Sequence, residues 1–219
     1  MMHGRRDGLI LLAAILAIVG AFLHGDGRWL HWLAKPATTL LIAAIAWQAR
    51  PAASPSYRRA MLLGMLLSCA GDIALMLPVD AFVPGLVAFL LAHVCYIVAF
   101  RAGLRAGRGL MAAFVLLGAF ATLNVLGLWS HLPVPMRIPV LASMAVLALA
   151  RAWAGPHAPA PESCSARWAA VGAVLFVASD SLLAWDRFAG GLPLASLLVL
   201  STYYAAQYAI ARSVVRRPL

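Results

Sequence analysis

Charge is the scarcest commodity of this chain. Only 11% of its 219 residues are charged, and seven acidic residues stand against seventeen basic ones. Globular domains carry about 25% charged residues, so a soluble domain of this length is excluded. Cysteine is also sparse: Cys69, Cys95 and Cys164 form no CxxC pair, and nothing suggests a disulfide framework. HExxH and HxxxH spacings are missing, so neither a metal nor another cofactor is expected. Alternation of apolar and polar residues, the mark of a β-barrel, is missing too.

What fills the chain is apolar. Hydrophobic residues make up 64%, and the mean hydropathy is +0.91. They come in long runs of roughly membrane-spanning length, about 20 residues each. The sequence therefore predicts an all-α, polytopic transmembrane helical bundle. About eight spans are expected, near residues 8–24, 29–49, 60–77, 82–101, 109–129, 133–153, 168–185 and 191–212. The first follows Arg5 and Arg6 in the manner of a signal peptide, but it feeds only further spans and reads as a retained helix. No connection is long enough to fold separately, so residues 1–219 form a single integral membrane domain. The longest, residues 154–167, is rich in Pro and Ala and reads as a flexible linker.

The formal charge of +10 is scattered between the apolar runs, which argues against nucleic acid as a partner. Sorted by side of the membrane, the arginines become a topology signal. Arg5, Arg6, Arg50, Arg58, Arg59, Arg101, Arg105, Arg108, Arg151, Arg167, Arg212, Arg216 and Arg217 fall on one side; Arg28, Arg137 and Arg187 fall on the other. By the positive-inside rule both termini are cytoplasmic, in a membrane expected to be the bacterial inner membrane. Two stretches, Gly64-Met-Leu-Leu-Ser-Cys-Ala-Gly-Asp72 and Gly172-Ala-Val-Leu-Phe-Val-Ala-Ser-Asp180, share a Gly-x7-Asp pattern. Phe82-Val-Pro-Gly-Leu86 likewise matches Phe188-Ala-Gly-Gly-Leu192, at an offset of 106 residues against 108 for the aspartates. Four spans per copy would make this a parallel 4+4 internal repeat.

Asp72 and Asp180 are the anomaly of the sequence. A carboxylate at the centre of a spanning helix costs about 2.5–3.5 kcal/mol on insertion scales. At a 1.5 Å rise per residue, Asp72 lies roughly 18 Å along its helix, and Asp180 about as far along a helix of the same direction. His93 reaches a similar depth, with Tyr96 on the same helical face. Tyr203 and Gln207 share a face by their i,i+4 spacing, and Lys35 enters the second span about one and a half turns deep. Depth is legible in this way; lateral proximity is not. Each residue also has a purely structural reading. Asp72 and Asp180 can tie helices together or pair with Lys35; His93 and Tyr96 can pack; Lys35 can snorkel; Tyr203, Tyr204 and Gln207 can bond between helices. Asn124 and Ser143 read as interhelical ties, and the remaining histidines carry no assignment.

Five motifs give the chain a family likeness. They are Lys35-Pro36, Ser68-Cys-Ala-Gly-Asp72-Ile-Ala-Leu, Phe89-Leu-Leu-Ala-His93-Val-Cys-Tyr96, Leu175-Phe-Val-Ala-Ser-Asp180-Ser-Leu-Leu and Thr202-Tyr-Tyr-Ala-Ala-Gln207. In this order they resemble the YhhN family of lysoplasmalogenase-type membrane proteins, over nearly the whole chain. The resemblance implies eight spans and hydrolysis of the vinyl ether bond of lysoplasmalogens, with a lysophospholipid in the membrane as partner. It also implies that Asp72 and Asp180 are the catalytic pair, leaving Lys35, His93, Tyr96, Tyr203 and Gln207 as the substrate-binding set.

Two carboxyl groups suit that chemistry on independent grounds. A vinyl ether has no carbonyl to attack; it is cleaved by protonating its β-carbon and capturing the oxocarbenium ion with water. That requires one protonated carboxyl and one carboxylate, the division of labour found in glycosidases. Asp180, flanked by Ser179 and Ser181, is the expected carboxylate and Asp72 the expected acid, with His93 and Tyr96 ordering water and Lys35 meeting the phosphate. A small-solute or proton-coupled transporter would use the same aspartates. An intramembrane aspartyl protease would need Gly-x-Gly-Asp, whereas Asp72 follows Cys-Ala-Gly.

Overall fold

A computed structural model describes residues 2–23, 25–79, 81–101, 119–120, 122–124, 126–131, 134 and 160–215. Their regular structure is helical, apart from one isolated bridge between Ala52 and Val215. The helices are α1 (Met2–Phe22), α2 (Arg28–Trp47), α3 (Pro55–Met76), α4 (Phe82–Arg101), α5 (Ala160–Ala184) and α6 (Ala195–Ser213). A π-helical turn, Trp185–Gly190, continues α5. Three stretches are long and apolar enough to cross a membrane: Pro55–Met76, Phe82–Phe100 and Arg167–Gly190.

The helices often begin before the apolar runs do. α1 takes in Arg5 and Arg6, and α3 starts five residues ahead of the expected span. Its start is set by local chemistry: Ser54 Oγ accepts from the Tyr57 N–H at 3.1 Å, and Pro55 occupies the first turn, where its missing N–H costs nothing. The expectation of a flexible linker over 154–167 is corrected in its second half, because α5 begins at Ala160. Pro161 falls in that first turn, a position proline tolerates, so the same Pro-rich composition can open a helix. Residues 154–159 and the expected span 133–153, Ser143 included, lie outside the described residues apart from Val134. Of the expected span 109–129 only short helical pieces between 119 and 128 are described.

α1 packs on α2, α3 on α4 and α5 on α6, while α2 also touches α3 and α6. Close approach between α3 and α4 depends on glycine. A Cβ at Gly71 would stand 2.7 Å from the Phe89 ring, and one at Gly64 would enter the ring of Tyr96. Apolar side chains gain nothing by leaving lipid for one another, so such small-residue contacts carry much of the cohesion. Contacts across the bundle fix direction. Gly64 and Gly71 meet Tyr96 and Phe89, so α3 and α4 are antiparallel; Phe89 and Tyr96 meet Tyr203 and Gln207, so α4 and α6 run together.

Candidate active site

The polar residues singled out by the sequence converge on the bundle interior, in two layers about one helical turn apart. Asp72 on α3 is the centre of the first. It is 1% exposed, and its carboxylate meets three donors. Lys35 Nζ lies 3.2 Å from Oδ1; Thr39 Oγ1 and Tyr203 OH donate to Oδ2 at 3.1 and 2.6 Å. Lys35 and Thr39 stand four residues apart on α2, so one helical face supplies both. Lys35 is the only lysine of the chain and is 8% exposed. The ion pair with Asp72, which the sequence offered as a structural reading, is therefore formed. A buried pair of this kind tolerates loss of one partner badly, at about 3–5 kcal/mol.

Asp180 on α5 has different company. Its Oδ2 is 3.2 Å from Nε2 of His93, and its side chain keeps 26% exposure against 2% for that of Asp72. The His93–Asp180 approach lacks hydrogen-bond direction, so it is a close polar contact rather than a directed bond. Ser179, expected to support Asp180, instead donates to the Val199 carbonyl at 3.0 Å. Neighbouring residues on a helix point about 100° apart and do not face one another, which the motif Ser-Asp-Ser conceals.

Phe176 connects the two carboxyl groups' surroundings. Its buried ring packs edge-on against His93 at 4.9 Å, Tyr203 at 5.7 Å and Tyr96 at 5.9 Å. Phe89 also packs edge-on against Tyr203, at 6.1 Å. The second layer lies one turn on: Tyr96 OH donates to Gln207 Oε1 at 3.2 Å and stands 3.4 Å from Ser68 Oγ. Lys35, Asp72 and Tyr203 thus form one cluster, His93 and Asp180 a second, and Tyr96 and Gln207 a third. Because Asp72 faces Lys35 while His93 faces Asp180, no group of three potential metal ligands forms among the described residues.

Thr39, Ser68 and Phe176 escaped the sequence reading. Thr39 is one turn from Lys35 and Ser68 one turn from Asp72, so helical spacing was the available signal. Phe176 offered none, since an apolar residue in an apolar run is unremarkable. Asn124 ties helical segments as expected, accepting from Trp185 Nε1 at 3.1 Å. His31, left without an assignment, joins α2 to α1 through Nδ1 and the Ala17 carbonyl at 2.8 Å.

Residues 30–214 match the model of the YhhN family. The chain is 35% identical to human "Lysoplasmalogenase TMEM86B" over 191 residues, 87% of this chain and 78% of that protein. It is 36% identical to a Mycobacterium bovis protein named "Lysoplasmalogenase", over 70% of this chain and 59% of the relative. An Escherichia coli protein named "Uncharacterized membrane protein YhhN" is 28% identical over 93% of this chain and 99% of its own length. No solved structure matches.

Proposed function

Because the chain belongs to the YhhN family of integral membrane proteins, we propose that it is a lysoplasmalogenase-like hydrolase. Its substrate is an alkenyl-glycerophosphoethanolamine or -choline, and its products are a fatty aldehyde and the glycerophospho-headgroup. The fold in this reading is an eight-span bundle with both termini cytoplasmic, in a bacterial inner membrane; the arginine bias and the paired Gly-x7-Asp helices support it.

The observation that carries the mechanism is the unlike company of the two carboxyl groups. Asp72 has one cation and two hydroxyl donors, the full set that an ionised carboxylate needs when desolvated. It stands ready to stabilise a developing oxocarbenium charge. Asp180, more open and in contact with His93, supplies the proton to the β-carbon of the vinyl ether. These roles exchange the assignment drawn from the serines beside Asp180. Water then adds to the oxocarbenium carbon, and the hemiacetal collapses to aldehyde and a free glycerol hydroxyl. With its charge met by Asp72, Lys35 serves substrate binding by holding that carboxylate in place.

Purified protein in detergent, given lysoplasmenyl-phosphoethanolamine, should release aldehyde. Turnover without a sealed compartment separates a hydrolase from the transporter alternative. Absence of aldehyde from every vinyl-ether lysolipid tried, together with wild-type behaviour of D72N and D180N, would defeat the proposal.

A further inference from the structure

Gln207 is 0% exposed, and while its Oε1 accepts from Tyr96, its Nε2 has no partner among the described residues. Native interiors rarely leave such a donor uncompensated, and an ordered water is the common remedy. The surroundings suit one. Ser68, Tyr96 and Gln207 are all 0% exposed and come from three different helices. Each lies one turn from a member of the layer above: Ser68 four residues before Asp72, Tyr96 three after His93, Gln207 four after Tyr203. With α3 antiparallel to α4 and α6, all three steps lead the same way. The hydroxyl oxygens of Ser68 and Tyr96 provide acceptors and the Gln207 amide the free donor, which together offer a water the two to four polar partners it needs.

We propose that Ser68, Tyr96 and Gln207 form the binding site of the hydrolytic water, an inference that rests on the hydrolase reading. Gln207 is its positioning residue. After protonation of the β-carbon, the oxygen of this water bonds to the oxocarbenium carbon. One of its protons passes to the Asp180 carboxylate, restoring the acid consumed in the first step. The bond from that carbon to the glycerol oxygen then breaks, and the hydroxyl proton of the hemiacetal passes to the departing oxygen. The sum is addition of one water and release of aldehyde and alcohol.

The test is a competition for the cation. With a few per cent methanol present, capture by methanol gives a stable mixed acetal in place of aldehyde. A water held beside the site makes aldehyde nearly the sole product of the wild type. In Q207L the acetal-to-aldehyde ratio should rise about tenfold, the equivalent of one lost hydrogen bond. S68A, a milder change to the same site, should shift the ratio in the same direction by less, and serves if Q207L does not fold. The ratio is independent of overall rate, so general damage to the protein leaves it unmoved. Equal ratios in wild type, Q207L and S68A would overturn the water site while leaving the hydrolase reading intact. No product at all from the wild type would remove that reading, and this inference with it.

Discussion

Tyr203 OH reaches Asp72 at 2.6 Å, the shortest of the carboxylate's contacts, and its ring packs against those of Phe89 and Phe176. Tyr203→Phe keeps the ring and deletes the donor. A hydrogen bond to a charged group contributes about 1.5–3 kcal/mol, so stability should fall by about that amount and kcat roughly 10–100-fold; thermal melts and steady-state kinetics on the purified variant decide it. Asp180→Asn removes the proposed proton donor, and aldehyde release should fall at least about 10²-fold. Lys35→Met should lower stability by about 3–5 kcal/mol, because Asp72 is left without its cation. The double variant K35M/D72N should recover most of that stability and none of the turnover, a pattern read from thermal melts and kinetics in the same detergent. At this scale helical rise gave Asp72, Asp180 and His93 similar positions along their helices, and i,i+4 spacing put Tyr203 and Gln207 on one face. Their neighbours were not legible. Thr39 matters only because α2 lies against α3, a fact of lateral packing with no trace in the spacing of apolar residues. Ser179 misled for the converse reason: adjacency in the chain is not adjacency in space on a helix.

Helices obey two sets of signals, and they need not agree on where an element ends. Hydropathy marked the apolar part of α3, yet Ser54 and Pro55 start it a full turn earlier. Ser54→Ala should cost about 1 kcal/mol in stability through loss of the cap and leave kcat unchanged. The α3–α4 contact is less forgiving. A methyl at Gly71 meets the Phe89 ring and the Gly85 carbonyl, and Phe89 in turn supports Tyr203. Gly71→Ala should therefore destabilise by about 1–3 kcal/mol and also depress kcat, since the strain is delivered to a side chain that packs the site. The stretch Gly64–Asp72 already contained Gly71 within an expected span, but nothing in it said which helix the glycine would meet. The start of α5 shows the limit of composition: Pro161 was read as a loop residue although proline in a first turn is compatible with helix.

Across the whole molecule, the candidate site draws on α2, α3, α4, α5 and α6, whose site residues run from Lys35 to Gln207. Thirteen arginines against three predict that reporters fused to either terminus report the cytoplasmic side. The architecture was readable as all-helical because apolar runs dominate everything else in the chain; which helices touch was not, because lipid-facing and bundle-facing surfaces are equally apolar. The Lys35–Asp72 pair has a further meaning in the order of synthesis. Lys35 is made 37 residues before Asp72, and Tyr203 follows Asp72 by 131. When α3 leaves the ribosome, the hydroxyl that gives Asp72 its shortest contact does not yet exist, whereas its cation is already waiting on α2. The α2–α3 hairpin can thus enter the bilayer as a neutralised unit, with its costliest residue shielded long before the last helix is translated.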